Sequence, residues 1–417
     1  MKILFVHQNF PGQYKHLAAA LADDDQNEVV AIGEKGNIGR LRHPKVKEIG
    51  YEKPRGANPD THHYVRGMES AVRRGQAVTR VGLDLLRKGF VPDIICCHPG
   101  WGEGLFLGDL WPKSKRLYFI EFFHRAHGFD SGFDPEFPQE FDDIFKIRAR
   151  TATMLLSLEA ATWGLVPTRW QLSSIPDEYQ SKMSTIHDGI DTDLVRPDPD
   201  ATLTFQSGAS LSKSDEVITF VNRNLEPYRG YHIFMRALPE ILRRRPNAQV
   251  LIVGGDEVSY GRAPADGKSH KEFYLDEVRD QLDMSRVRFL GRIPYDQFVK
   301  LLQVSSVHVY LTYPFVLSWS MLEAMSAGCL VVGSRTPPVQ EVISHGHNGL
   351  LVDFFKPDEI VDAVERVLEH PDKMQKIRDQ ARKTVVSRYD LKTRCLPKHI
   401  QLVKTLAIGK RPRVKAA

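Results

Sequence analysis

The chain has 417 residues, 42% of them hydrophobic and 26% charged, values that exclude a disordered or collagen-like polymer and imply two cores of roughly 150–200 residues each. Its formal net charge of +5 is small for this length and the basic residues are scattered, so nothing marks a nucleic-acid binder. Four cysteines without a C-x-x-C pair point to a reducing, cytoplasmic setting with neither a disulfide frame nor a cysteine-bound zinc.

In chain order, "KILFVHQ" reads as a buried strand, "GQYKHLAAALAD" as an amphipathic helix and "EVVAIG" as the next strand. "RRGQAVTRVGLDLLRKG" reads as a helix, and "DIICCH" and "RLYFIEFF" as strands. Alternation of this kind predicts a mostly parallel sheet covered by helices. Residues 191–213, rich in Asp, Pro, Gly and Thr, read as a linker and adjoining loop. The alternation then restarts with "EVITFVN", "YHIFMRALPEIL", "AQVLIVGG" and "KEFYLDEVRDQL", and continues through "RVRFLG", "YDQFVKLLQVS" and "VHVYLT" to "GLLVD" and "PDEIVDAVERVLEH". The fold class is therefore α/β with two doubly wound, Rossmann-like domains facing across a cleft. Their spans are 1–190 and 214–388, and a C-terminal helix and basic tail over 389–417 packs back on the first. Ligands of such sheets sit beyond the carboxyl ends of the strands. No window of about 18 apolar residues spans a membrane, and the N-terminal apolar run is too short for a signal peptide. The ending "GKRPRVKAA" reads as a frayed tail or as a contact with an anionic membrane surface.

Neither G-x-G-x-x-G after a strand nor a G-x-x-x-x-G-K-[ST] loop occurs, which argues against dinucleotide and P-loop enzymes. The D-x-D of Asp191 and Asp193 reads as a turn rather than a metal ligand. Gly12, between a strand and a helix start, lets backbone approach an anionic ligand or simply makes a turn. Arg223 and Arg229, in "FVNRNLEPYRGYHIF", follow a strand and precede a helix, where two guanidinium groups suit a pyrophosphate. In "YPFVLSWSMLEAMSAGCLVVGS", Ser320 and Glu323 match a capping box, yet a carboxylate on this loop also suits the hydroxyls of a ribose. The pairs His62/His63 and His345/His347 offer no third ligand and suggest metal only weakly.

Taken together, "HQNFPGQYKHLAAALA", "NRNLEPYRGYHIFMRAL" and "MLEAMSAGCLVVGSRTPPVQEVISHGHNGLLV" resemble the retaining glycosyltransferases of family 4, group 1, which have the GT-B fold. The resemblance runs from Lys2 to about Tyr389. It implies transfer of a sugar from a nucleotide-diphosphate sugar, UDP- or GDP-linked, to an acceptor hydroxyl with retention, in bacterial glycan or glycoside synthesis. It implies no tightly bound cofactor and no metal. Glu323 would take the donor ribose, Arg223 and Arg229 the diphosphate, and Gly12 the phosphate and sugar. The backbone of Arg292 and Ile293 would meet the base. In the family a first glutamate stands eight residues before the second. Here that position is Phe315, which leaves the donor sugar to backbone amides of Val316, Leu317 and Ser318 or to another side chain. A histidine near the sugar would be His124, with His98 as its rival. The acceptor is a saccharide, a lipid-linked glycan or a small molecule, with contact at the inner face of a membrane a further expectation. The alternatives are an epimerase or phosphorylase of the same fold, or a nucleotide-sugar-binding protein with lost or weak catalysis.

Overall fold

The structure is a computed structural model that describes residues 1–205, 207–264 and 267–412. The chain divides into two compact units, Met1–Gly189 with Lys392–Ala417, and Ile190–Leu391.

The first unit is built on seven strands: β1 (Lys2–Val6), β2 (Glu28–Glu34), β3 (Val46–Tyr51), β4 (Ile94–Cys97), β5 (Lys115–Phe119), β6 (Trp163–Val166) and β7 (Met183–Thr185). They run in the order β3-β2-β1-β4-β5-β6-β7, with every pairing parallel. A parallel sheet is covered on both faces, which is why its central strands read as continuous apolar runs. Ile3, Leu4, Phe5 and Val6 are all fully buried, and each such side chain contributes roughly 1.5–3 kcal/mol relative to exposure. Successive residues point to opposite faces. Ile3 and Phe5 thus join one core with Leu17 and Leu21, while Leu4 and Val6 join the other with Val78 and Leu85.

The first of those cores also contains Leu402, Val403 and Leu406, from the helix Leu396–Ala407. A second tie is polar: His399 Nε2 lies 3.0 Å from the carbonyl oxygen of His187, and Gly189 N–H donates to His187 Nδ1 at 3.0 Å. Burial holds both imidazoles neutral, at about 3 for His187 and about 4 for His399.

The second unit opens with an antiparallel hairpin, β8 (Thr202–Thr204) and β9 (Ser210–Ser212). Leu203 and Leu211 of this hairpin lie in the second unit's core, so the stretch read as linker and loop is structured there. The main sheet follows: β10 (Val217–Asn224), β11 (Gln249–Gly255), β12 (Val287–Gly291), β13 (Val307–Tyr310), β14 (Leu330–Ser334) and β15 (Leu350–Val352). Its order, β12-β11-β10-β13-β14-β15, repeats the first unit's pattern, and all its pairs are parallel. In each sheet the strand order reverses at one place, between β1 and β4 and between β10 and β13. Those reversals open crevices at the carboxyl ends of the strands.

Candidate functional site

At the second unit's reversal the loop after β10 makes a short 3-10 turn, Pro227–Arg229, and Gly230 then starts the helix Tyr231–Arg244. Gly230 has φ of 68° and a Cβ there would lie 2.3 Å from Leu311 Cβ, so both backbone and packing require glycine. This tight turn buries Arg229. Its Nη1 donates to Thr312 Oγ1 at 2.8 Å and to the Val316 carbonyl at 2.9 Å. The guanidinium carbon stands 5.6 Å from the Tyr260 ring centroid and 5.7 Å from that of Phe315. Cation–π contact of this kind contributes about 0.5–2 kcal/mol. Arg229 is therefore a cation fixed in direction beside a helix N-terminus, the arrangement that attracts phosphate.

Phe315 belongs to an aromatic group. Its ring meets Tyr260 edge-on at 4.9 Å and Tyr228 at 5.7 Å, and Tyr228 packs on Tyr313 at 4.6 Å. Where the resemblance places a carboxylate, the protein has an apolar wall against its buried arginine. Glu226, fully buried, accepts from the N–H groups of Ser259 at 3.2 Å and Tyr260 at 2.9 Å, which holds the Tyr260 loop to the site. Burial raises its carboxyl pKa, while those two hydrogen bonds and nearby Arg229 pull the other way. Glu226 was not singled out from the sequence; the only local signal is a carboxylate preceding proline in "NLEPYRG".

The capping-box reading of Ser320 and Glu323 is corrected. The helix Trp319–Ser326 has Ser318 as its N-cap, with no side-chain cap. Glu323 thus sits in the fifth helical position, too far along to reach the N-cap amide. Its carboxylate instead accepts from Tyr295 Oη at 2.7 Å. Glu323 is buried, which raises its pKa against the opposing effect of that hydrogen bond. Of the expected backbone donors, the Ser318 N–H is engaged, donating to Tyr310 Oη at 2.8 Å; the Val316 carbonyl accepts from Arg229. Val316 and Leu317 are themselves buried, Leu317 within the core.

Arg223 is placed differently from its expectation. It is the last but one residue of β10, not of the loop, and it is exposed. β10 shifts register between Val221 and Asn224, and Arg223 lies exposed within that irregularity, so it does not share Arg229's contacts. Arg292, beyond β12, donates from Nη2 to Asn224 Oδ1 at 3.1 Å and pairs with Glu257. Asn224 Nδ2 in turn donates to Ser259 Oγ at 2.7 Å. These bonds tie together the loops after β10, β11 and β12. Ile293 packs against the core. Asp191 accepts from the N–H groups of Asp193 and Leu194 at 3.2 Å each, so the D-x-D forms a turn.

At the first unit's reversal the loop after β1 places His7 against Gly12. A Cβ on Gly12 would lie 2.5 Å from His7 Nε2, and Gly12 has φ of 46°. Asn9 N–H donates to His7 Nδ1 at 2.9 Å, which fixes the proton on Nε2 for donation to Gln13 Oε1 at 2.7 Å. Burial, with His98 next, holds His7 neutral at about 3. The His98 ring lies 5.0 Å from that of His7 and stacks on Trp101 at 4.6 Å, and its Nε2 is 3.7 Å from Glu121 Oε2. Beneath them Glu103 is fully buried, takes Tyr51 Oη at 3.3 Å and faces Arg74 Nε at 3.9 Å; burial pushes its pKa up to about 6. His124, in the loop after β5, lies with Nδ1 3.5 Å from Asp130 Oδ2. His98 and not His124 thus shares the aromatic cluster with His7, a residue the sequence reading passed over.

Two sheets of this order, each with its site at the reversal, define the GT-B architecture. Structure comparison agrees: sucrose-phosphate synthase from Thermosynechococcus elongatus superposes with a TM-score of 0.74 at 15% identity, covering 98% of this chain and 100% of that one. Anabaena HepE, solved in complex with UDP and glucose, superposes with a TM-score of 0.68 at 17% identity over 98% and 100%. The family described as Glycosyl transferase family 4 group matches residues 25–195, and Glycosyl transferases group 1 matches residues 204–384. The chain belongs to the family 4, group 1 glycosyltransferases. It is 28% identical to D-inositol 3-phosphate glycosyltransferase of Corynebacterium urealyticum over 200 residues, 47% of this chain and 45% of that protein. The chain spans about half the length of the curated relatives it matches.

Proposed function

We propose that the protein transfers a sugar from a nucleotide-diphosphate sugar to an acceptor hydroxyl with retention of anomeric configuration. The observation that carries this reading is Arg229, buried, aimed by Thr312 and Val316, and set beside the start of the helix Tyr231–Arg244. In the reaction the bond from the anomeric carbon to the diphosphate oxygen breaks and a bond to the acceptor oxygen forms. The acceptor proton passes to the departing phosphate. Negative charge grows on the diphosphate, and a fixed cation with aligned amides stabilises it without reorganising. Glu323, with Tyr295 as its partner, is the proposed ribose ligand. The backbone around Arg292 and Ile293 is the proposed base site, and exposed Arg223 a second phosphate contact. HepE's complex with UDP and glucose makes UDP-glucose the first donor to try. Gly12 and the His7–His98 cluster supply the sugar side, with His124 the other candidate. The 1–190 segment is assigned the acceptor and 214–388 the donor.

A thermal-shift screen with UDP- and GDP-sugars tests the reading. A ligand at 100 times its dissociation constant adds about 2.7 kcal/mol, and Arg229→Ala abolishes that shift. Proton NMR of the first product then gives the anomeric configuration. A chain that binds no nucleotide sugar, or whose product is inverted, overturns it.

A further inference from the structure

The helix Arg66–Arg87 of the first unit presses on the loop after β4. Gly102 of that loop has φ of 102°, and a Cβ there would lie 2.3 Å from the Ala71 carbonyl oxygen. A Cβ on Gly75 would lie 2.9 Å from the Gly102 carbonyl oxygen. Ala71, Arg74 and Gly75 share one helix face, so Arg74 enters the same contact, where it meets Glu103. That carboxylate is fully buried, and its Oε1 lies 3.9 Å from Arg74 Nε, beyond hydrogen-bonding distance. Among the described residues, buried Glu103 Oε2 and Arg74 Nε have no hydrogen-bond partner. What Arg74 supplies to Glu103 is therefore charge, without which a buried carboxylate is costly. The other end of the guanidinium reaches the loop after β1, where Nη1 donates to Gln8 Oε1. Gln8 stands between His7 and Asn9, whose N–H fixes the His7 ring. The Gln8 carbonyl accepts from the Glu34 N–H at 3.0 Å.

We propose that Arg74 and Glu103 are positioning residues for sugar transfer: their buried charge pair fastens the loop after β1 to the loop after β4, and so fixes the mutual placement of His7 and His98, whose rings lie 5.0 Å apart. The proposal rests on the reading that this crevice takes the donor sugar. Glu103 aims Arg74, Arg74 holds the Gln8 amide, and Gln8 steadies the backbone on which His7 and Gly12 depend. Neither charged residue needs to reach the substrate. The link is also titratable. Burial pushes Glu103 up to about 6, against the effects of Arg74, His98 and Tyr51. The groups that face it are Arg74 from the helix, Tyr51 from β3, Cys97 at the end of β4 and His98 just beyond. Burial keeps Cys97 and Tyr51 neutral through this range. Above about pH 6 the carboxylate is charged and the pair is complete; below it Arg74 loses its counter-charge.

Two measurements on the full chain test this. Hydrogen–deuterium exchange needs no donor. Glu103→Gln keeps the shape and an acceptor for Tyr51 but no charge, and Arg74→Met keeps only the stem. Each should speed exchange over residues 7–14 about tenfold, the loss of one charge-assisted hydrogen bond, while β1, β4 and the melting curve stay near the parent's. Gln8→Ala cuts the link at its half-buried end and should do the same, whether or not the buried variants fold. Steady-state kinetics with the donor found in the screen give the second measurement. In each variant kcat should fall about tenfold with KM for the donor little changed. In the parent kcat/KM should fall below about pH 6; Glu103→Gln should lack that limb and run at neutral pH at the parent's acid rate. Unchanged exchange over residues 7–14 in these variants overturns the proposal, as does an acid limb that survives Glu103→Gln. Exchange that quickens across the whole first unit, with a lowered melting temperature, makes the pair structural only and overturns it too. A chain that transfers no sugar overturns the proposed function instead, and exchange then still decides whether the pair holds the loops.

Discussion

The imidazole of His7 occupies the space that a side chain at Gly12 would need, with a Cβ there only 2.5 Å from Nε2. Gly12 is thus demanded by its own backbone and by a neighbour five residues earlier. Gly12→Ala should lose about 1–3 kcal/mol, part of it from positive φ and part from the collision. Only the second part depends on the ring. A double-mutant cycle by urea unfolding should therefore show Gly12→Ala costing less in a His7→Ala background. Equal costs in both backgrounds would mean that the ring does not set the requirement.

Arg229 combines hydrogen bonding and ring contact in one planar group. Arg229→Lys keeps the charge and the donors but loses the planar guanidinium that lies against the rings of Tyr260 and Phe315. On the proposed function, kcat/KM should fall by about 10²–10³. A lysine variant with parental kinetics would show that the charge alone suffices, and an Arg229→Ala variant with parental kinetics would remove Arg229 from the site.

Glu323 and Tyr295 separate stability from binding. Tyr295→Phe deletes the phenol that satisfies a buried carboxylate, and should cost about 1–3 kcal/mol in chemical denaturation. Glu323→Gln retains a carbonyl oxygen for the phenol, so the fold should hold while nucleotide-sugar affinity drops. Isothermal titration with the donor found in the screen checks the second half; unchanged affinity would leave Glu323 structural.

Acid should loosen the first unit through its buried histidines. His187 and His399 have folded pKa values near 3 and 4, below the usual 6.5. The unfolded chain therefore binds more protons between those limits. The stability these residues contribute is fully present above about pH 6.5 and is lost as pH falls toward 3–4, by up to about 1.4 kcal/mol per pH unit for each. Glu103, raised to about 6, works in the opposite sense between its usual value and that one. His399→Gln keeps a donor for the His187 carbonyl but cannot titrate. Melting temperatures from pH 7 to 4 should fall less steeply in that variant.

The central strands were legible in the sequence because parallel strands buried on both faces need unbroken apolar runs, as in "KILFV" and "VITFV". β3 escaped because it is a sheet edge with mixed polarity, "VKEIGY". The hairpin β8–β9 escaped because three-residue strands carry too little pattern to be told from a loop. Glu323 was legible as a residue of interest, but its partner Tyr295 lies 28 positions away, beyond any local motif. The capping box misled because Ser318 and Ser320 both suit a helix start, and only the backbone shows which one is used. Arg223 and Arg229 looked alike on paper; a register irregularity at the end of β10 exposes the first and a glycine turn buries the second.

The first unit's core closes with Leu402, Val403 and Leu406, yet its strands end at Thr185. On the ribosome the apolar face of Leu17 and Leu21 must wait through the synthesis of some two hundred intervening residues before its cover arrives. That wait is on the order of ten seconds or more at typical elongation rates. The second unit's sequence is contiguous and leaves the ribosome before the covering helix does. Order of emergence and order of completion are therefore reversed between the two units. A stop codon or a bulky fusion near the carboxyl terminus would act first on the amino-terminal sheet.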